Sequence, residues 1–275
     1  MPDDDRVFPF LRLNRRADKP RAVGRTEIRG PYYTPLGPRY LEDLLDTVGH
    51  AVDSLKFGGG SMALFPRPVL RQIIDLCHRH RVTVSTGGFI EYVLTQGPAA
   101  VDRYLGECRD LGFDVVEISA GFVTLPADDF LRLTERVRQA GLTPKPEVGI
   151  QFGAGGASAV AELEAEGTRD IGSALRLIRR HFEAGAELVM IESEGITENV
   201  RTGRTDAVAA LVEAFGTERL MFEAADPPVF TWYVKNYGPD VNLFVDHSQI
   251  VQLECLRTGI WGTKDIWGRV VTYKQ

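Results

Sequence analysis

The sequence predicts an α/β fold of one kind, a single (β/α)8 (TIM) barrel with an N-terminal arm. Short apolar runs rich in β-branched residues recur eight times: TEIR from Thr26, DSLKF from Asp53, RVTVST from Arg81, DVVEIS from Asp114, LTPKPEVGI from Leu142, ELVMIES from Glu187, RLMFEA from Arg219 and VNLFVD from Val241. Segments with apolar residues at helical spacing separate these runs. Eight strand-plus-helix units of roughly 25 to 30 residues match the barrel in number and period.

Helix ends support the same alternation. Gly112, Gly141 and Gly185 each stand between a helical segment and the next strand, where a left-handed cap is easiest for glycine. The residues before the first strand, 1–25, mix Pro, Arg and Asp without periodicity. We therefore interpret 1–25 as an arm that lies on the body or contacts a neighbour, and 26–275 as the barrel.

An open doubly wound sheet is the alternative fold. Its dinucleotide-binding fingerprint requires spaced glycines and an acidic residue about 20 positions on. The cluster Gly58, Gly59 and Gly60 is followed by SMALFPRP, which lacks the third spaced glycine, and no such acid follows. The glycine pattern therefore favours the barrel.

Composition limits the classes of function. The chain has 275 residues, 44% hydrophobic and 25% charged, with a formal net charge of −6. This charge argues against a general nucleic-acid binder, which needs a concentrated basic face, but leaves room for a local pocket that binds a small anion. No apolar run approaches the ~18 residues of a membrane span, and the first residues lack a signal-peptide layout. We expect a cytoplasmic protein without membrane contact.

The ends of the predicted strands are unusually polar, and barrel enzymes place their catalytic groups there. In strand order these residues are Glu27 and Arg29; Lys56; Ser85 and Thr86; Glu117 and Ser119; Lys145 and Glu147; Glu192 and Glu194; Glu223 and Asp226; and Asp246 and His247. Alternation along a strand sends Lys145 and Glu147 to one face. If these faces point inward, the charged groups meet at the barrel mouth.

Several carboxylates at one mouth raise one another's pKa unless cations balance them. Lys56, Lys145 and a divalent metal are the natural balancing cations, and an all-oxygen ligand set favours Mg²⁺. A strand-end charge can also be an ordinary solvated rim residue. For Lys56 the structural alternative is an ion pair with Glu27 or Glu117, and His247 can simply cap the last helix with Asp246.

Several motifs resemble the phosphosulfolactate synthase family, in order from about Arg25 to the C-terminus. They are LKFGGGS from Leu55, STGG from Ser85, LGFDVVEIS from Leu111, PEVG from Pro146, MIES from Met190, MFEA from Met221, VNL from Val241 and LECLRTG from Leu253. GRTEIRGPYY from Gly24 and YGPDVNLFVDHSQI from Tyr237 are most similar to the branch with the heat-stress-associated proteins of plants.

The resemblance implies a (β/α)8 barrel, dependence on Mg²⁺, a homo-oligomer and the addition of sulfite to phosphoenolpyruvate. Two positions depart from the family pattern. The synthases resemble one another in an Asp-Lys pair at the end of strand one, where this chain has Ile28 and Arg29, and in a lysine directly after EVG, where it has Ile150. Lys145 replaces the second lysine only if it points inward and reaches the same space. Arg29 can hold an anion, but a guanidinium is hardly a proton donor.

The sequence therefore predicts a Mg²⁺-dependent lyase that acts on phosphoenolpyruvate or a related small anionic substrate. Its proposed residues are Lys56 as the clamp for the substrate anion and Lys145 as the acid; Arg29, Ser85, His247 and Arg257 as substrate-binding groups; and Glu117, Glu147, Glu192 and Glu223 as metal ligands or their supporting shell. Two alternatives stay open: a family member with another substrate in a specialised biosynthetic pathway, and a catalytically silent barrel that acts through protein contacts.

Overall fold

Eight parallel strands close into a barrel in a computed structural model that describes residues 7–155, 158–166, 170–224, 226–260 and 270–272. The strands are β1 (Thr26–Arg29), β2 (Ser54–Lys56), β3 (Thr83–Ser85), β4 (Val115–Ile118), β5 (Thr143–Val148), β6 (Val189–Ile191), β7 (Leu220–Glu223) and β8 (Asn242–Asp246). Each strand pairs with its neighbour in sequence, and β1 pairs with β8, so that Arg29 lies beside both Lys56 and Asp246. The predicted barrel is confirmed, and closure excludes the open doubly wound sheet.

Ten α-helices connect the strands within the described residues. They are α1 (Pro38–Val48), α2 (Arg67–Arg79), α3 (Ile90–Leu94), α4 (Pro98–Leu111), α5 (Ala127–Gln139), α6 (Val160–Glu166), α7 (Gly172–Glu183), α8 (Thr205–Phe215), α9 (Pro227–Tyr237) and α10 (Ile250–Thr258). Two helices follow β3 and two follow β5, because the βα segments there are long enough for an extra short helix. None of the helices in the described ranges has the length and apolarity needed to cross a bilayer.

Alternation along the strands produces two different cores. Residues such as Leu55, Val84 and Val116 belong to the large apolar cluster shared with the helices, as expected for parallel strands covered by helices. Met190, Met221 and Phe244 form a separate small apolar cluster. The remaining space inside the barrel is therefore available to the charged side chains of the strands.

The described part of the arm contacts the end of the barrel where the strands begin. Lys19 Nζ donates hydrogen bonds to the carbonyl oxygens of Gly49 at 2.9 Å and His80 at 2.8 Å. Arg21 forms an ion pair at 3.0 Å with Asp53, the residue before β2. These contacts lie at the opposite end of the barrel from the strand-end charges, so Lys19 and Arg21 are remote from the candidate site.

A buried histidine between α5 and α7 makes the fold sensitive to acid. His181 has no exposed surface, its Nδ1 lies 3.0 Å from Thr134 Oγ1, and its Nε2 has no hydrogen-bond partner among the described residues. Burial, with a smaller effect of Arg180, lowers the pKa of His181 to about 4. In the unfolded chain the His181 imidazole therefore binds a proton below its ordinary pKa of about 6.5. In the folded chain it binds a proton only near pH 4.

We expect His181 to lower the free energy of unfolding by up to about 3 kcal/mol as the pH drops from about 6.5 to 4. Urea unfolding of the wild type and of His181→Leu across that range measures the effect, and the variant should lose less stability on acidification. His78→Gln is the control because His78 lies on the surface beside Asp114. Equal pH slopes for the wild type and His181→Leu would contradict this account.

Candidate active site

Lys56 stands at the centre of a carboxylate ring at the carboxyl end of the barrel. Its Nζ lies 2.8 Å from Glu117 Oε1, 3.1 Å from Glu147 Oε2 and 3.1 Å from Glu223 Oε1. These glutamates come from β4, β5 and β7, so the ring assembles only when the barrel closes. The Nζ also lies 4.5 Å from the centroid of the Phe244 ring, which favours a cation at this point.

Lys145 forms a second, deeper layer of ion pairs. Its Nζ contacts Glu117 Oε2 at 3.1 Å and also pairs with Glu27, whose other oxygen accepts a hydrogen bond at 2.9 Å from Ser54. Lys145 is 3% exposed. Glu117 therefore lies between the two ammonium groups. Lys145 points inward, which is one condition for it to replace the family lysine, but it does not line the cavity, which was the other.

Burial and charge act in opposite directions on Lys56 and Glu117. Burial alone would lower the pKa of Lys56, but Glu117, Glu223, Glu147 and Glu27 together raise it well above its ordinary value. Burial alone would raise the pKa of Glu117, and the adjacent Lys56 and Lys145 outweigh burial and lower it. This pair therefore stays ionised.

The same cluster raises the pKa values of Glu147 and Glu192. Burial, reinforced by the negative charges of Glu117 and Glu223, raises the pKa of Glu147 to about 8 despite the opposing effect of Lys56. Burial and the neighbouring carboxylates Glu223 and Glu147 raise the pKa of Glu192 well above its ordinary value. The cluster thus carries more carboxylates than its cations balance, and it takes up either protons or a further cation.

The excess of carboxylates is an observation that fits Mg²⁺, the metal that the resemblance implies. Glu147, Glu192 and Glu223 come from neighbouring strands, line one cavity and supply oxygen ligands, as Mg²⁺ requires. Within the described residues, no three acidic, histidine or cysteine side chains already surround a common metal position. In this arrangement the carboxylates surround Lys56 instead.

Arg29 is the third cation of the mouth. Its guanidinium stacks on two rings, 4.9 Å from the centroid of Tyr33 and 5.0 Å from that of Phe244. A cavity of about 420 Å³ opens beside it, and its polar lining includes Arg29, Lys56, Glu91, Thr95, Glu117, Ser119, Glu147, Glu192 and Glu223. The cavity therefore joins positive and negative groups, as a site for a substrate with an anionic end requires.

Two of the predicted substrate-binding residues lie beside the cavity and not in its lining. Ser85 has no exposed surface, and its hydroxyl accepts a hydrogen bond at 3.4 Å from the Gly87 amide. His247 is held by the Arg29 carbonyl oxygen at 3.1 Å and lies near Thr34 Oγ1 at 3.4 Å. Neither residue lines the cavity, so both support the turns at its edge.

The prediction that Arg257 binds the substrate anion needs correction. Arg257 is completely buried, and its guanidinium donates hydrogen bonds to the carbonyl oxygens of Pro239 and Arg25. These two residues precede β8 and β1, so Arg257 lies at the end of the barrel where strands begin. The height of the barrel separates it from Lys56, and it is not part of this site.

Two glutamates that the prediction gave no role hold the loops around the mouth. Glu91 accepts hydrogen bonds from Ser119 Oγ at 2.6 Å and from the Phe122 amide at 2.7 Å. Glu194 accepts them from the amides of Gly155 at 2.8 Å and Ser158 at 2.9 Å. Glu91 belongs to α3 and was not recognisable from strand ends, whereas Glu194 was noted only as a polar residue after β6.

A closed parallel barrel with a charged cavity at the carboxyl ends of its strands is the arrangement in which barrel enzymes build their active sites. Residues 14–263 match the family model described as (2R)-phospho-3-sulfolactate synthase (ComA). The chain belongs to the phosphosulfolactate synthase family.

Known proteins extend this similarity. The chain is 39% identical over 252 residues to the Arabidopsis thaliana protein HEAT-STRESS-ASSOCIATED 32, covering 88% of each chain. It is 28% identical over 271 residues to phosphosulfolactate synthase of Methanothermobacter thermautotrophicus, covering 96% of this chain and 98% of that one. The carboxyl transferase domain of Rhizobium etli pyruvate carboxylase shares the fold at a TM-score of 0.57 and 12% identity, covering 84% of this chain and 41% of that one.

Proposed function

We propose that this chain is a Mg²⁺-dependent lyase that adds sulfite, or a similar small nucleophile, to phosphoenolpyruvate or a related acceptor. The observation that carries the proposal is the position of Lys56. Its ammonium group lies within 3.1 Å of three carboxylates, of which Glu117 and Glu223 are buried, and it lines the same cavity as Arg29. A structural ion pair needs one partner, whereas this cluster keeps several charges desolvated together at a cost in stability, which favours a functional role for them.

The reaction forms one carbon–sulfur bond. The sulfur lone pair attacks the methylene carbon of phosphoenolpyruvate, the electrons of the carbon–carbon double bond move towards the carboxylate, and an enediolate-like intermediate results. A proton then adds to the carbon that bears the phosphate, which completes phosphosulfolactate without loss of phosphate. The protein must therefore stabilise charge on the carboxylate and deliver one proton.

Lys56 is better placed than Lys145 to deliver that proton. Lys56 lines the cavity, whereas Lys145 does not and is engaged by Glu27 and Glu117 beneath it. We therefore assign the acid role to Lys56, which also attracts the substrate anion, and a positioning role to Lys145 through Glu117. Arg29, whose guanidinium is suited to binding anions, holds an anionic group at the outer side of the cavity.

Glu147, Glu192 and Glu223 are the residues that would hold Mg²⁺. A bound Mg²⁺ supplies Lewis-acid stabilisation of negative charge that develops on the substrate carboxylate. Two of these glutamates, Glu147 in β5 and Glu223 in β7, also contact Lys56, and Glu192 directly follows β6. Removal of the ion should leave the barrel folded, because Lys56 balances part of the charge.

Phosphorus NMR of the purified protein with phosphoenolpyruvate, sulfite and Mg²⁺ tests the function. We expect the substrate signal to be replaced by that of a phosphate ester, without release of inorganic phosphate. An intact phosphoenolpyruvate signal from folded protein would contradict the reaction with these two substrates. It would favour a family member with another substrate or a catalytically silent barrel.

Chelation of the metal gives a separate prediction. Excess EDTA should stop turnover, and Mg²⁺ in excess of the chelator should restore it. Glu192→Gln removes one charged ligand and should raise the Mg²⁺ concentration for half-maximal turnover by about tenfold or more. The matched control is Glu213→Gln, because Glu213 is exposed on α8. Turnover that persists in EDTA, or identical Mg²⁺ requirements in both variants, would contradict the assigned ligands.

The similarity to the Arabidopsis protein favours a second candidate function. The chain is 39% identical to that protein and 28% identical to the Methanothermobacter synthase. A catalytically silent barrel that acts through protein contacts, or a repurposed enzyme with another substrate, would also explain Arg29 in place of the family's lysine. If the barrel is silent, Lys56 variants should keep its contacts with other proteins. If the chain is a repurposed enzyme, Lys56 variants should lose turnover of its substrate.

A further inference from the structure

An aromatic collar borders the cavity above Lys56. We define the collar as Tyr32, Phe89, Tyr92 and Phe122, which follow β1, β3 and β4 and line the same cavity as Arg29. Tyr32 is 53% exposed, Tyr92 62% and Phe122 61%. Contiguous exposed apolar groups mark binding surfaces, whereas single exposed rings are ordinary.

Glycines in the loop after β2 hold two rings of the collar in place. Tyr32 packs directly on Gly58 and Gly59, and a Cβ atom at Gly59 would overlap the ring. A Cβ atom at Gly60 would likewise overlap the ring of Phe89. Gly59 and Gly60 have φ of +56° and +71°, a conformation that side chains other than glycine disfavour. The loop thus combines a special backbone with close approach of aromatic rings.

The other half of the collar is fixed in the same way. A Cβ atom at Gly155 would overlap the ring of Phe122, and the Phe122 amide is held by Glu91 at 2.7 Å. Tyr92 stacks on Phe89 with ring centroids 5.6 Å apart and planes at 22°. The collar therefore presents exposed rings in fixed positions, which is the arrangement of a preformed binding surface.

The cavity below the collar is larger than a three-carbon acid requires. Its volume of about 420 Å³ lies in the range of about 300–1,000 Å³ that is usual for drug-sized ligands. Arg29 makes no ion pair with any side chain in the described ranges and lies against Tyr33 and Phe244. An anionic head near Arg29 and Lys56 would leave the collar free to contact a further group.

We infer that the acceptor carries an aromatic or similarly flat apolar group that packs against the collar, in addition to its acidic head. This inference rests on the proposed function, because it names the substrate class of the same site. It extends the substrate class from phosphoenolpyruvate to enolpyruvate-type acids with an apolar substituent. The continuity of the collar with the charged cavity favours a substrate over a second copy of the chain as the occupant.

Isothermal titration calorimetry with two probes tests the inference. Phenylpyruvate and pyruvate share the oxo-acid head and differ in the aromatic ring. We expect the full-length protein to bind phenylpyruvate about tenfold tighter than pyruvate, because aromatic contacts add to the burial of apolar surface. Tyr32→Ala and Phe122→Ala should reduce this ratio to about twofold or less. Phe10→Ala is the control, since Phe10 is 79% exposed on the arm.

Three results would overturn the inference. The first is equal affinity for the two probes, and the second is no binding of phenylpyruvate at millimolar concentration. The third is an affinity ratio that Tyr32→Ala and Phe122→Ala leave unchanged, while sedimentation velocity shows that these two variants dissociate an oligomer. The last result would assign the collar to contacts between copies. Selective binding of phenylpyruvate without turnover of phosphoenolpyruvate and sulfite would support the inference and contradict the reaction, so the two failures are distinguishable.

Discussion

Lys56→Met should reduce turnover by about 10²- to 10⁴-fold, because it removes both the proton donor and the central cation of the site. Lys56 Nζ is the point at which Glu117, Glu147 and Glu223 converge. Initial rates of phosphate-ester formation measure the effect. Turnover within about threefold of the wild type would show that the acid is another group.

Two further variants separate the roles of Lys56. Lys56→Arg keeps the positive charge but cannot readily release a proton, so we expect its loss of turnover to approach that of Lys56→Met. Lys19→Met removes another buried lysine, at the opposite end of the barrel, where Lys19 donates to Gly49 and His80. Lys19→Met should lower stability without a comparable loss of turnover per folded molecule.

Lys145→Met should lower the free energy of unfolding by about 3–5 kcal/mol, because it leaves one buried carboxylate without a cationic partner and a second with Lys56 as its one remaining cation. Those carboxylates are Glu27 and Glu117, and both are buried. Urea unfolding monitored by circular dichroism measures the change. The double variant Lys145→Met/Glu27→Gln should recover part of the loss, since it removes the unpaired charge. A loss below about 1 kcal/mol for Lys145→Met would contradict the buried ion-pair layer.

The barrel and the inward charges were predictable because both depend on local periodicity. The eight apolar runs coincide with the strands, and alternation correctly placed Lys145 and Glu147 on one face, which in the structure is the inward one. Lys56 contacts Glu117, as in the structural alternative, but it also contacts Glu147 and Glu223. The ring as a whole depends on the stagger of four strands, which no single segment encodes.

The misplaced Arg257 has a geometric cause. α10 starts just after the mouth at Ile250 and descends along the barrel. A residue seven positions further lies about 10 Å lower at 1.5 Å per residue. The resemblance of LECLRTG to a family motif did not reveal that direction, and the charge of the guanidinium suggested an anion site. The contacts with Pro239 and Arg25 show a structural role instead.

The aromatic collar and the loop anchors were not predictable from strand ends. Tyr92 and Glu91 belong to a short helix after β3, and Phe122 lies in the loop after β4. Their convergence depends on the paths of loops and on contacts such as that of Phe122 with Gly155. The glycines of LKFGGGS are compatible with rings packed closely on the loop after β2, but they do not identify which rings.

Carbon NMR with phosphoenolpyruvate labelled with ¹³C at the methylene carbon tests the central claim most directly. With sulfite, Mg²⁺ and the wild-type protein, the labelled signal should move from the vinyl region to that of a saturated carbon bonded to sulfur, and Lys56→Met should leave it in place. A vinyl signal that persists with folded wild-type protein would contradict carbon–sulfur bond formation on this acceptor. A signal that moves equally with Lys56→Met would contradict the assignment of Lys56.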